Sequence, residues 1–220
     1  MNILVIGEEE NFNECQVKFG THHHYLWERD HREAEKFLIN QHLVFDFTLD
    51  DEPACFEMYA QNTTRVFINT SKVSLGDLTH SCDNKVSSLL FGFNGMPTFL
   101  NRNILEVSLW KKEDEAKLIQ ICRDLRTDYL LVDDRVGLVT PRVVCMIINE
   151  AYYAVQEGTA SRSDIDIAMR LGTNYPYGPF EWCTKIGIKH VYELLEAVYE
   201  DTKDERYKIC PLLKKEYYRS

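Results

Sequence analysis

The chain opens with NILVI at residues 2–6, a run without polar alternation, which predicts a strand covered on both faces. Gly7 ends it. A weak helical pattern follows over 9–19, with Phe12, Cys15, Val17 and Phe19 as its apolar positions and Gly20 as its stop. Strand patterns recur at 23–28 (HHYLWE), 42–49 (HLVFDFTL) and 65–70 (RVFINT). Short helical stretches at 31–40 and 53–62 separate them, the second opened by Pro53. Strand alternating with helix is the pattern of a parallel α/β sheet. Two further strands are expected at 87–95 and 104–110, an amphipathic helix at 112–125 and a last strand at 128–134. The segment DLTHSCD, around His80, reads as loop.

Past Gly137 the two-residue period disappears. Helices are expected at 141–158, 161–172, 188–202 and 210–218, with Ser161 or Ser163 as a cap and Gly158 and Gly172 as stops. TNYPYGPFEW (173–182) reads as a Pro/Gly-rich turn. Val143, Val144, Ile147, Ile148 and Ala151 form either a core face or a dimer seam, and periodicity does not separate the two. The reading is therefore a shortened Rossmann-like α/β domain over 1–136 and an all-helical domain over 137–220.

Charge narrows the partners. With 25 Lys+Arg against 35 Asp+Glu the net charge is -10, which argues against nucleic acid, because phosphate binding wants a basic surface. No apolar run is long enough to cross a bilayer, and the N-terminus lacks the pattern of a signal peptide. The 7 cysteines are odd in number, widely spaced and without CxxC, which fits reduced thiols and a cytoplasmic protein. His22, His23 and His24 alternate faces on a strand and cannot all reach one ion, so no metal site is expected.

The second half resembles the C-terminal domain of the 3-hydroxyacyl-CoA dehydrogenase family, a helical domain of the 6-phosphogluconate dehydrogenase C-terminal type. The carrying features are a long helix containing NEA (149–151), the DIDIAMRLG helix (164–172), the YPYGPFEW turn (175–182) and PLL (211–213). The first half is similar in order: HLVFDFTLDDE (42–52), FINTSKVSL (67–75) and GFNGMPTFLNRNILEV (92–107). The resemblance implies an NAD-binding domain, a helical domain that dimerises and closes over an acyl-CoA, and oxidation of a 3-hydroxyl to a ketone. It implies a histidine base supported by a glutamate. A serine and an asparagine hold the substrate oxygen.

Carried onto this chain, Glu106 falls at the supporting glutamate and Ser71 at the substrate serine. Gly7, with Glu28 and Asp46 as acids at strand ends, falls on the cofactor side. The chain departs from the pattern elsewhere. The histidine position holds Asn94, an amide that cannot take up a proton near neutral pH. Pro141 stands where the substrate asparagine belongs and has neither amide nor N–H. The glycine-rich turn has become GEEENF (7–12), where Glu8, Glu9 and Glu10 satisfy the helix dipole themselves and repel phosphate. Only residues 8–41 fill an interval that is much longer in the family. Pro53 stands near a position where the family tends to place a lysine.

The expectation is a shortened, degenerate relative: homodimeric, or binding an acyl-CoA-like small molecule, with NAD no longer held in the family's way. A working NAD-dependent 3-hydroxyacyl-CoA or 3-hydroxybutyryl-CoA dehydrogenase is the alternative. A homodimer without any ligand is a third reading.

Overall fold

Seven strands form one sheet in the N-terminal unit, Met1–Leu138, of a chain whose computed structural model describes residues 1–80, 82 and 86–220. They are β1 Asn2–Ile6, β2 His24–Glu28, β3 Leu43–Asp46, β4 Arg65–Asn69, β5 Leu89–Phe93, β6 Ile104–Leu109 and β7 Asp128–Leu131. The order across the sheet is β2-β1-β3-β4-β5-β6-β7. The first five strands are parallel, β6 runs antiparallel to β5, and β7 is parallel to β6. This is the Rossmann-like architecture that the strand–helix alternation predicts. The unbroken apolar runs lie in the centre because β1, β3, β4 and β5 are covered on both faces, while the mixed patterns of β2 and β7 lie at the edges.

Alternate strand residues build two apolar layers. One layer joins Val5, Phe45, Phe67, Phe91, Phe93 and Val107 to Cys15 and Phe19 of helix α1 (Glu9–Phe19), and to Leu118 and Cys122 of helix α5 (Glu115–Leu125). Within it Phe19, Phe45, Phe67 and Phe91 run in file, with successive ring centroids 4.9, 4.9 and 5.0 Å apart. The other layer packs Leu4, Ile6, Val44, Val66 and Ile68 against Ala34 of helix α2 (His31–Glu35), Tyr59 of helix α3 (Glu57–Ala60) and Leu75 of helix α4 (Leu75–His80).

Helix α4 corrects the expectation of loop around His80; the rest of that segment includes Ser81 and Asp83, which lie outside the described residues. The start of α4 is held both locally and from a distance: the Ser74 hydroxyl accepts from the Asp77 N–H at 3.0 Å and the Asp77 carboxylate from the Ser74 N–H at 3.2 Å. The Asp134 carboxylate accepts from the N–H groups of Leu75 and Gly76, both at 2.9 Å, and so caps a helix more than fifty residues away in sequence. The two predicted helices at 31–40 and 53–62 are each shorter, a few α-helical residues joined to a 3₁₀ turn.

The second unit, Val139–Ser220, is all helical: α6 Thr140–Gln156, α7 Arg162–Thr173, α8 Pro179–Ile186, α9 Ile188–Thr202 and α10 Pro211–Tyr217. Ser161 caps α7, accepting from the Asp164 N–H at 3.2 Å. The first half of helix α8, residues 179–182, lies within the stretch read as a turn. Its first N–H groups, of Phe180 and Glu181, donate to the Asp166 carboxylate at 2.8 and 3.2 Å, a partner that local sequence does not reveal. Val144, Ile148 and Ala151 of α6 are core, with Val191, Leu194, Leu195 and Val198 of α9, whereas Val143 is 53% exposed. Pro141 is buried in the first turn of α6, where a proline costs no hydrogen bond.

One polar group is built into this core. Asn149 is 2% exposed; its amide donates to the Lys208 carbonyl at 2.9 Å and its oxygen accepts from the Cys210 N–H at 2.8 Å. It thereby ties the chain entering α10 to α6. Asn149→Ala leaves both backbone groups without partners, and the expected loss of unfolding free energy is about 2–4 kcal/mol. Chemical denaturation measures it; a loss below about 0.5 kcal/mol would show that the two groups find other partners.

Candidate functional site

In a parallel sheet, ligands bind beyond the C-terminal ends of the strands. Here the segments that follow β3, β4 and β5 meet there on one side chain. Asn69, the last residue of β4, is 5% exposed. Its Oδ1 accepts from the Ser71 hydroxyl at 2.6 Å, the Gly95 N–H at 2.9 Å and the Ser71 N–H at 3.3 Å. Its Nδ2 donates to the Phe47 carbonyl at 3.2 Å. A Cβ on Gly95 would come within 2.9 Å of both the Asn69 amide carbon and the Phe47 ring, so only glycine allows this approach.

Asn94 follows β5 and is 4% exposed. Its Oδ1 accepts from the Met96 N–H at 3.0 Å and lies 3.3 Å from the Ser71 hydroxyl. Ser71 has one proton, and the shorter contact to Asn69 takes it. The Asn94 Nδ2 is buried and meets no acceptor among the described residues. The structure thus brings Ser71 and Asn94 together. Glu106 arrives by register. Phe91, Gly92 and Phe93 pair antiparallel with Leu109, Ser108 and Val107, and one step further sets position 94 opposite Glu106, which is half-buried on β6. His80 ends α4 and is exposed.

A further acid lies in the loop after β3. Asp50 is 7% exposed, and neither of its carboxyl oxygens meets a donor in good geometry. Burial pushes it up to about 8, with Asp51 and Asp46 adding and Lys72 and the Asn69 amide holding it back. In sequence it is one of several acids in LDDE, which reads as an exposed turn, so nothing there distinguishes it.

The turn after β1 is built differently. Gly7 has φ +150, and a Cβ on it would lie 2.7 Å from Asn11 Oδ1. That oxygen accepts from the Glu8 N–H at 2.9 Å, so the Asn11 side chain fills the hollow beside the glycine and occupies one of the free donors of α1. Trp27 donates its indole N–H to the Gly7 carbonyl at 2.8 Å and stacks on Phe12 at 5.8 Å. Glu8, Glu9 and Glu10 are exposed, and Glu8 pairs with Arg29 at 3.4 Å. Glu28 ends β2 beside this turn, its carbonyl accepting the Gly7 N–H at 3.0 Å.

Asp46, expected on the cofactor side, is consumed internally. It is fully buried and accepts from the Tyr59 hydroxyl at 2.8 Å, from His31 Nε2 at 3.0 Å, and from the N–H groups of Leu49 and Thr48 at 3.0 and 3.1 Å. No oxygen lone pair is left for a diffusible molecule. Among the described residues no helix is long and apolar enough to cross a membrane.

The family model of the 3-hydroxyacyl-CoA dehydrogenase C-terminal domain matches residues 137–218. The 3-hydroxyadipyl-CoA dehydrogenase of Escherichia coli (strain K12) is 48% identical over 85 residues, which are 39% of this chain and 18% of that protein. The 3-hydroxybutyryl-CoA dehydrogenase of Clostridioides difficile is 30% identical over 149 residues, 67% of this chain and 53% of that one. The matched stretch is thus at most about half of either curated relative. In fold, the chain resembles the crystal structure of (S)-3-hydroxybutyryl-CoA dehydrogenase from Ralstonia eutropha, with a TM-score of 0.69 at 17% identity, covering 97% of this chain and 92% of that one. With the helical unit matched by the family model and the α/β unit reached by the longer relative, the chain is similar over most of its length to the 3-hydroxyacyl-CoA dehydrogenase family.

Proposed function

We propose that this chain keeps the family's fold and a substrate-side polar cluster but does not oxidise a 3-hydroxyl with NAD. Asn94 carries this reading. The family resemblance puts a proton-accepting histidine at this position, and an amide is not basic enough to replace it. The amide is also committed, its oxygen taken by the Met96 N–H. Loss of a general base costs about 10²–10⁴-fold in rate.

The residues around Gly7 do not fit the pyrophosphate of a dinucleotide. The hollow beside the glycine is filled by Asn11, and the donor at Glu8 is occupied. The three glutamates at the start of α1 place negative charge where a phosphate would approach. The cluster of Ser71, Asn94 and Asn69 is uncharged and offers an unpaired amide N–H, which suits the carbonyl oxygen of an acyl-CoA-like molecule. Self-association through the helical unit, as the resemblance implies, is part of the same proposal. Retained activity is the second reading, favoured by the register that sets position 94 opposite Glu106.

Calorimetry and thermal shift with several millimolar NADH are expected to show no binding, and acetoacetyl-CoA with NADH no turnover. Asn94→His alone is expected to remain inactive; NADH oxidation by that variant would overturn the proposal. Acetoacetyl-CoA without nucleotide is expected to bind, and Ser71→Ala, which removes the hydroxyl that ties Asn69 into this cluster, to weaken that binding about 5- to 10-fold, the value of one hydrogen bond. Unchanged affinity in titration calorimetry would remove Ser71 from the site.

A further inference from the structure

His31, Glu52 and Cys55 take no part in the Asn69 cluster, yet they bring a nitrogen, a carboxylate oxygen and a sulfur within 4.8 Å of one another. His31 opens α2 and is 4% exposed. Glu52 precedes the 3₁₀ turn Pro53–Phe56, and Cys55 lies within it. Glu52 Oε2 lies 3.1 Å from His31 Nδ1 and 3.5 Å from the Cys55 sulfur.

The proton positions here are constrained. Asp46 meets donors on every side, so His31 Nε2 must carry a proton and donate it at 3.0 Å. In a neutral ring that leaves Nδ1 as a lone pair. It faces a second acceptor, the Glu52 oxygen, at 3.1 Å. Two acceptors this close repel unless a positive charge lies between them. That charge is either a proton on Nδ1 or a metal ion.

We propose that it is a divalent transition-metal ion of the zinc class, held by His31 Nδ1, the Glu52 carboxylate and the Cys55 thiolate. Three features favour the metal over the proton. First, the third ligand is already present: a proton on Nδ1 needs only Glu52, whereas Cys55 has its sulfur at the same carboxylate oxygen. The two spacings from the Glu52 oxygen, 3.1 and 3.5 Å, approach the edges of a tetrahedral site, which for bonds of about 2.0–2.3 Å are roughly 3.3–3.8 Å. Second, Asp46 holds the remote ring nitrogen, and Tyr59 in turn holds Asp46. This is the carboxylate–histidine arrangement that orients a metal-binding imidazole and raises its basicity. Third, a shallow cavity of about 210 Å³ lined by His31, Cys55, Arg32 and Glu35 leaves room for a water or small ligand at a fourth position. Binding releases the thiol proton, and any proton on Nδ1, to solvent.

Cobalt tests the site because thiolate ligation has its own absorption. The full-length chain, reduced and freed of metal, is titrated with Co²⁺. One equivalent is expected to bind with a near-ultraviolet thiolate-to-cobalt charge-transfer band and the strong visible bands of tetrahedral geometry, all displaced by Zn²⁺. Cys55→Ser is expected to abolish the charge-transfer band, and Glu52→Gln to weaken Zn²⁺ binding at least about tenfold. Both changes are at partly exposed positions and are expected to leave the circular dichroism spectrum unchanged. Cys82→Ser, at the other partly exposed thiol, is expected to bind as the parent does. A parent without the charge-transfer band, or a band that survives Cys55→Ser, would overturn the proposal and leave His31 as an imidazolium between two carboxylates. Equal Zn²⁺ affinity in Glu52→Gln would likewise overturn it.

Discussion

The polar end of the sheet depends on one buried amide. Asn69 accepts three hydrogen bonds and donates a fourth, and through them it joins the segments after β3, β4 and β5. An aspartate could not donate to the Phe47 carbonyl, and a leucine could do neither. The Gly95 N–H and the Phe47 carbonyl would then be buried without these partners, at about 1–3 kcal/mol each. Asn69 is also what brings Ser71 beside Asn94. The geometry of the candidate site therefore rests on a residue that need not touch a ligand.

Scaffold and chemistry separate cleanly in this arrangement. The apolar layers, the phenylalanine file and the Asn69 amide account for where positions 71, 94 and 106 stand. None of them requires a base at position 94. A histidine there would bring a titratable ring; the asparagine there instead accepts from the Met96 N–H and so contributes to holding the loop. The same holds at the β1 turn. Gly7 is still required by its conformation, but the space it leaves is filled from within by Asn11, and Trp27 covers the Gly7 carbonyl. In both places an internal side chain takes up a backbone N–H, that of Met96 in one and that of Glu8 in the other, which stabilises the local backbone; at the β1 turn it also fills the hollow beside the glycine.

The fold was legible wherever local pattern decided it. Unbroken apolar runs placed the central strands, since a strand covered on both faces has no other composition. The helical character of the second half followed from its period. The two misread helices, α4 and α8, share a cause. Each is short and is held at its start by a distant carboxylate, Asp134 for one and Asp166 for the other, so the local start signals, the Ser74–Asp77 box and Pro179, carry little weight by themselves. Ser71 and Asn94 were legible only through family resemblance, which supplied positions but not contacts. Asp50 was not legible, because a buried acid and an exposed one look alike in LDDE. The His31–Asp46 pair was not legible for a related reason: its members lie on different elements, and neither position points to the other. Asp46 was instead placed with the cofactor because the third strand ends in it.

Acids are used in two ways around the end of β3. A carboxylate in the interior must be surrounded by donors or lose its charge. Asp46 is surrounded: a hydroxyl, an imidazole N–H and two backbone N–H groups meet it. Asp50, four residues on, is not, and burial raises its affinity for a proton accordingly. Satisfying Asp46 has a consequence for its neighbour. It fixes the imidazole proton of His31 on Nε2 and turns the other nitrogen toward Glu52. The shortage of donors at the end of β3 is thus resolved at Asp46 and handed on to the His31–Glu52 contact, where only a cation can close it. A saturated carboxylate in the core and a need for positive charge at the surface are two ends of one hydrogen-bond chain.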